Sequence, residues 1–448
     1  MKRILSYLFV FAFFLPIFFS CQEKTPTRRL EQVTIVSRHG VRVPLERYMD
    51  DLETIKSKEY SWPTWPVDGG HLSLRGSMLE YMSGEYFKGF FETAGLNLTP
   101  QKTYFCASPK QRTVETSRAF AAGLFPHRKI DIFYRGPRDF SPKYLDPEFL
   151  PLLNDQDYPG EFQYDAFQKE ARQEMLEIAN QSKEEVLQSL DYLAKTIGYA
   201  NSAKASLLKK NRFDFDIIEN LSLDFYKNNG KGETEKMEPD LMDCDFKMAN
   251  RASDALILQY YEQDDKVLTS PSSKMTKDLE RNDWERIASV KDVYGDVLFT
   301  APIVAVNVSH AMLGMLRRMI CDPVNSLNFI CTHDSSMAAL LAALRTEEYE
   351  LSQTIEKRTP IGFKILFEKW KIGKEHYVRV RLAYYSSDQI RTSNPADVQG
   401  TPLFVELGFK GLTRDQNGMY RYDDFIHLVD RTLELYELTA MGKNPFAD

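Results

Sequence analysis

Cysteine is scarce and scattered in this chain: five occur in 448 residues, and their wide, irregular spacing offers no zinc-type ligand pattern. No basic patch interleaved with aromatics appears, and the formal net charge is -7, which argues against nucleic acid as a partner. Internal repeats and low-complexity blocks are missing too. No serine or cysteine stands in a nucleophile pattern with histidine. The apolar run from Ile4 to Phe19 is short for a permanent membrane span. What remains is a chain with 43% hydrophobic residues, long enough for one large domain plus an insertion.

That apolar run reads instead as the centre of an export signal. Lys2 and Arg3 precede it, Ser20 and Cys21 close it, and Gln22 to Arg29 is polar. A small residue directly before cysteine resembles a bacterial lipoprotein signal, in which Cys21 becomes the lipidated first residue. Phe18 stands where leucine is usual, and cleavage nearby without a lipid is the other reading. On both readings residues 1–21 are not part of the fold, the mature chain is exported to the periplasm or cell surface, and membrane contact is expected only through Cys21. The other four cysteines, Cys106, Cys244, Cys321 and Cys331, are an even number in an oxidising compartment, which implies disulfides in one of three pairings.

Three stretches carry the chemistry. Val33 to Ser37 is a β-branched, uncharged run that reads as a buried strand, and its exit is Arg38-His39-Gly40-Val41-Arg42-Val43-Pro44. Thr103 to Ala107 is a second strand, followed by Ser108-Pro109 and a helical pattern from Lys110 to Leu124. Pro109 suits a first helical turn, Ser108 is placed to cap it, and Arg112 in that turn is expected to face an anion. Leu327 to Cys331 is a third strand, ending in Thr332-His333-Asp334 before an apolar helix. In a mostly parallel sheet these exits share one edge, where ligands bind. Gly362 to Trp370 and Tyr377 to Tyr384 are further strands. Between Asp139 and Asp296 long amphipathic stretches, Ala166 to Ile197 and Ala249 to Gln263, replace the strand pattern. The domain plan is therefore an α/β body over 27–140 and 297–448, with a helical insertion over 141–296. The tryptophans of Trp62-Pro63-Thr64-Trp65-Pro66 read as pins for a stiff loop.

Three arginines, two histidines and one acid would repel a metal cation, so neither a metal nor a cofactor is expected. Three guanidinium groups can hold a phosphoryl group and stabilise its transition-state charge. A histidine among them is kept neutral and free to attack phosphorus, and Asp334 is the natural proton donor to the leaving alkoxide. These arguments leave open whether His39 or His333 is the nucleophile.

The stretch from Arg38 to Pro44 is similar to the RHGxRxP motif of the histidine acid phosphatases, His333-Asp334 to their HD motif, and Gln111-Arg112-Thr113 to their QRT. The resemblance implies an α/β fold of phosphoglycerate mutase type, a mostly parallel sheet flanked by helices with an inserted helical cap. It implies His39 as the phosphohistidine nucleophile, Arg38, Arg42, Arg112 and His333 as phosphate ligands, and Asp334 as the acid. Thr332 departs from the glycine usual before HD. Trp62 to Val67 resembles the bacterial phytase branch. Gly69 to Gly76, Asp146 to Phe149, Leu258 to Glu262 and Arg358 to Gly362 resemble the periplasmic glucose-1-phosphatases. That branch carries an acidic residue over the pocket, and Glu262 is the candidate here. His71, His127, His310, His376 and His427 are assigned structural roles. The expected activity is metal-independent hydrolysis of a small phosphate ester, such as glucose 1-phosphate, with phytate as a further substrate. Rival readings are a lipoprotein that only captures phosphorylated ligands and a phosphoglycerate mutase-like phosphotransferase.

Overall fold

The computed structural model describes residues 28–140, 144–225, 238–262, 274–391 and 401–447. The export signal and Cys21 lie outside them. The first strand, β1 (Arg28–Arg38), is buried on both faces along its β-branched half, as its lack of alternation predicts. The helices α1 (Glu46–Ile55) and α2 (Leu74–Thr93) follow, then β2 (Thr103–Ala107), α3 (Gln111–Leu124) and the short β3 (Ile132–Phe133). A helical stretch comes next: α4 (Tyr164–Gln181), α5 (Lys183–Ile197) and α6 (Ala203–Leu208), a small ladder of β4 (Leu221–Ser222) with β5 (Asp240–Leu241), then α7 (Asp245–Glu262) and α8 (Arg281–Phe299). The chain returns to the sheet through α9 (Pro302–Cys321), β6 (Leu327–Thr332) and α10 (Asp334–Ala343). It ends with β7 (Lys364–Ile372), β8 (Glu375–Tyr384), α11 (Ser387–Arg391), β9 (Leu403–Glu406), β10 (Tyr420–Arg421), α12 (Tyr422–Glu434) and α13 (Tyr436–Ala440).

The strand order is β10-β8-β7-β1-β6-β2-β3, with β9 also on β8. The strands that matter for the site, β1, β6, β2 and β3, run parallel, while β7 to β10 extend the sheet antiparallel. The register levels the three critical exits: Arg38 pairs with Thr332, and Cys331 pairs with Ala107. His39, His333 and Ser108 are thus the next residues of three adjacent strands.

Each face of the sheet has its own core. Phe87, Phe91 and Phe120 from α2 and α3 pack on Ile35, Phe105 and Phe329. Met312, Leu316, Met337, Leu340 and Phe425 from α9, α10 and α12 pack on Val36, Ile330 and Ile365. A third core joins α4, α5, α7 and α8 to Leu52 and Ile55 of α1 and to Val41 of the first exit loop. The helical stretch is therefore bolted to the loop that carries the arginines. The boundary expected at 296 falls inside α8, and the pattern over 166–197 is split at Ser182, whose φ of -94° and ψ of 0° interrupt the helix.

The expected disulfides are not formed: Cys106, Cys244, Cys321 and Cys331 are all free thiols. Cys106 and Cys331 lie on neighbouring strands, but Cys331 is level with Ala107. The one-residue offset sends the two side chains to opposite faces, Cys106 into the α9–α10 core and Cys331 into the α2–α3 core. Parity could not reveal that.

Candidate active site

Main-chain contacts fix the first histidine. His39 N–H donates to the Thr332 carbonyl (3.1 Å), and its own carbonyl accepts from Gly362 (3.2 Å). Nδ1 lies 2.9 Å from the Gly40 carbonyl, which can only accept, so Nδ1 carries the proton and Nε2 is left with its lone pair. Gly40 is needed for close approach rather than for a special φ: a Cβ there would stand 3.0 Å from Glu80 Cγ and 3.2 Å from Leu72 Cδ1.

Arg38 and Arg42 are buried beside this ring, and Arg112 is half-buried there with its Nε enclosed. Arg38 Nη1 donates to Glu356 Oε1 (2.8 Å) and the Thr359 carbonyl (2.6 Å), and Nη2 is 3.2 Å from Asp334 Oδ2. Arg42 Nη2 donates to Asp254 Oδ2 at 2.8 Å. Arg112 meets no carboxylate among the described residues, only His333 Nδ1, at 3.3 Å. Each of the three keeps a buried Nε–H with no acceptor. Buried donors of this kind are costly unless something binds them, and their convergence marks an anion site.

His333 stands 5.6 Å from His39, ring to ring and edge-on. Arginine only donates, so His333 Nδ1 accepts, and Nε2–H turns to Ser108 Oγ at 3.0 Å. Ser108 is therefore not the expected cap. The chain bends at Pro109 and Lys110, with Lys110 N–H bonded to the Ser108 carbonyl (2.7 Å), α3 begins at Gln111, and the serine hydroxyl serves the histidine. Burial, then the charges of Arg112, Arg38 and Arg42, hold the His39 pKa well below 6.5. Burial and Arg112 do the same for His333, against Asp334. Burial and neighbouring Arg42 bring Arg112 down to about 10.

Asp334 opens α10, and its Oδ1 accepts from the Ser335 N–H at 3.0 Å. Its Oδ2 takes Lys291 Nζ at 2.7 Å as well as Arg38. Burial alone would raise this carboxyl, but Lys291 and Arg38 overcome it and hold the pKa well below the ordinary carboxylate range. Lys291 also reaches Glu356 Oε1, at 3.2 Å. Sequence reasoning missed Asp254, Lys291 and Glu356, and gave Ser108 a capping role in place of its bond to His333. A signal existed for Asp254 alone, as the one charge inside the buried run from Ala252 to Tyr261.

The six residues Arg38, His39, Arg42, Arg112, His333 and Asp334 come together as the motifs required. Glu262 does not join them. It ends α7, bonded to the Ser73 hydroxyl at the start of α2, whereas Asp254 of the same helix faces the pocket. Eight residues of helix separate the two by about 12 Å, and Glu262 is not in the pocket lining. His71, assigned a structural role, lines the pocket. Trp62 packs on the core beside Tyr60 and outside the pocket, as expected. Thr332 turns away to the Phe149 carbonyl (2.6 Å).

The pocket holds about 730 Å³, lined by His39, Arg42, Arg112, His333 and Asp334 and walled by α7 and α8, with Arg38 behind Asp334. Further out, three cations are paired, Lys247 with Asp240 (2.9 Å), Arg251 with Asp51 (2.7 Å) and Arg358 with Asp296 (2.8 Å), while Arg47 and Lys110 also line the pocket.

Residues 29–383 match the family model of the histidine phosphatase superfamily, branch 2. A glucose-1-phosphatase of Providencia rettgeri is 29% identical over 422 residues, 90% of this chain and 92% of that protein. The phytase AppA of Escherichia coli is 25% identical over 441 residues, 91% of this chain and 93% of its own length. In architecture the chain is similar to the phytase of Citrobacter braakii, with a TM-score of 0.73, 23% identity, and coverage of 91% of this chain and 98% of that one.

Both site histidines should remain neutral under acid conditions. Because their folded values are depressed, the unfolded chain takes up protons first. The stability they contribute is complete above the unfolded value near 6.5 and falls as pH drops toward the folded values. Ring ¹⁵N shifts followed from about pH 7 to about pH 5 should show neither residue titrating. Protonation of either near 6.5 would contradict the geometry.

Proposed function

The chain belongs to branch 2 of the histidine phosphatase superfamily and is a phosphoric monoester hydrolase, and from that premise we propose that it acts through a phosphohistidine at His39. The observation that carries this is the free lone pair of His39 Nε2 beside Arg38, Arg42 and Arg112, each of which keeps a buried Nε–H without an acceptor. Arg38, Arg42 and Arg112 take the equatorial oxygens of the phosphoryl group. His39 Nε2 attacks phosphorus opposite the ester oxygen, forming the P–N bond as the P–O bond breaks. Asp334 gives its proton to the departing oxygen. It then takes a proton from water as that water's oxygen attacks phosphorus, breaking the P–N bond and restoring His39. His333 holds Arg112 and turns Nε2–H from Ser108 to a phosphoryl oxygen.

Asp334 is ionised in the free site, so it must gain a proton before it can act. A bound phosphoryl group supplies negative charge beside it and draws on Arg38, which raises its proton affinity. Acid conditions complete the protonation. The cationic inner end disfavours a metal ion, in keeping with metal-independent chemistry.

For the substrate, the pairing of three outer cations, Lys247, Arg251 and Arg358, favours an ester with one phosphoryl group and a neutral, hydroxyl-rich remainder, such as glucose 1-phosphate, over the highly charged phytate. The Lys2–Cys21 pattern supports export with a lipid on Cys21.

The full-length protein should hydrolyse glucose 1-phosphate faster than phytate at acid pH, unaffected by a chelator, and His39→Ala should abolish turnover. Phytate as the better substrate would refute the substrate assignment. Asp334→Ala should slow an alkyl phosphate by about 100-fold or more and 4-nitrophenyl phosphate far less. Equal losses would refute its role as the acid. Cys21→Ala should release the protein from the membrane fraction of expressing cells, and retention would count against the anchor.

A further inference from the structure

The helical stretch supplies a cation that the arginine motif does not contain. Lys291, on α8, places Nζ 2.7 Å from Asp334 Oδ2 and 3.2 Å from Glu356 Oε1. Arg38 spans the same two carboxylates, with Nη1 2.8 Å from Glu356 Oε1 and Nη2 3.2 Å from Asp334 Oδ2. Two cations and two carboxylates therefore form a closed ring. Its members come from the end of β1, from α8, from the start of α10 and from the loop before β7. Glu356 is 1% exposed and also accepts from the Ile361 N–H at 3.1 Å, so this corner is rigid. Lys291 and Asp334 line the pocket, whereas Glu356 lies behind it.

We propose that Lys291 is a positioning residue for the leaving-group step, clamping the Asp334 carboxylate against Arg38 and determining when it can carry a proton. The inference rests on Asp334 being the acid of the proposed reaction. Arg38 is shared with the phosphoryl group, so its hold on Asp334 changes as substrate binds. Lys291 is not among the phosphate ligands, and it keeps the carboxyl oriented throughout the cycle. The same charge opposes protonation, which confines the donor form to acid conditions. The other charged or titratable groups around Asp334 are His39 and Arg38 at the end of β1, Arg112 on α3 and His333 immediately before it. Asp254 on α7 acts on Arg38 and Lys291 from the far side. Among these, Lys291 is the cation that can be neutralised without touching the phosphate clamp. Glu356 pulls on it from the opposite direction.

Opposite pH shifts follow for the two partners. Removing the charge of Lys291 makes Asp334 easier to protonate, while removing that of Glu356 makes it harder. The test is the pH profile of kcat for the full-length protein, measured with glycerol 2-phosphate, whose alkoxide needs a proton, and 4-nitrophenyl phosphate, whose leaving group does not. With glycerol 2-phosphate the alkaline limb should move up by about one pH unit in Lys291→Met, which is about tenfold more turnover, relative to its own maximum, just beyond the wild-type limb. It should stay in place in Lys291→Arg and move down in Glu356→Gln. With 4-nitrophenyl phosphate none of the limbs should move.

A fall in kcat on both esters with unmoved limbs would reduce Lys291 to a structural role and overturn the proposal. The same shift on both esters would overturn it too, by assigning the effect to His39. Should Lys291→Met fail to fold, Glu356→Gln decides: a limb that stays or moves up overturns the proposal. Loss of glycerol 2-phosphate turnover in the wild-type protein would strike at the phosphatase reading itself, which the 4-nitrophenyl phosphate control and His39→Ala report separately.

Discussion

Crowding buried cations at one end of a sheet is the constraint on which the rest of the structure depends. Arg38, Arg42 and Lys291 are each paired with one or more of three carboxylates, Asp254, Asp334 and Glu356. Arg112 meets no carboxylate among the described residues, and burial with neighbouring Arg42 brings its pKa down to about 10. A partly buried charge without a carboxylate partner is costly. In the proposed reaction a phosphoryl group removes that cost on binding. The architecture follows from the need to hold the three carboxylates in place. Asp254 comes from α7, Glu356 from the loop before β7 and Asp334 from the first turn of α10. The helical stretch is therefore part of the electrostatic design of the site as well as its roof.

The sheet contributes position. Parallel pairing of β1 with β6 and of β6 with β2 brings three strand exits level, and main-chain hydrogen bonds to Thr332 and Cys331 lock His39 and Ser108 on either side of His333. The Gly40 carbonyl then selects the His39 tautomer that leaves Nε2 unprotonated. In the proposed reaction a nucleophile oriented in this way loses little entropy on reaching the transition state, which is where positioning lowers a barrier.

Much of this was legible in the sequence because local pattern carried it. β-branched runs ending in Arg-His-Gly or His-Asp announce buried strands with charged exits, and the expected convergence of Arg38, His39, Arg42, Arg112, His333 and Asp334 is what the fold delivers. The partners of these residues were not legible. Lys291 looks like any lysine on an amphipathic helix, and Glu356 sits in an irregular stretch, so only tertiary packing reveals that both face Arg38. Glu262 was misplaced for a related reason: which turn of α7 reaches the pocket depends on how the helix is docked, and the turn bearing Asp254 does so. The cysteines show the same limit, since pairing depends on which face of the sheet each thiol occupies.

The central claim is that His39 becomes covalently phosphorylated, and trapping that species tests it most directly. Enzyme mixed with ³²P-labelled substrate, quenched into alkali within milliseconds and mapped by peptide mass spectrometry, should carry an acid-labile, alkali-stable phosphoryl group on His39. A phosphoryl group on His333, or turnover with no labelled peptide at any quench time, would contradict the account.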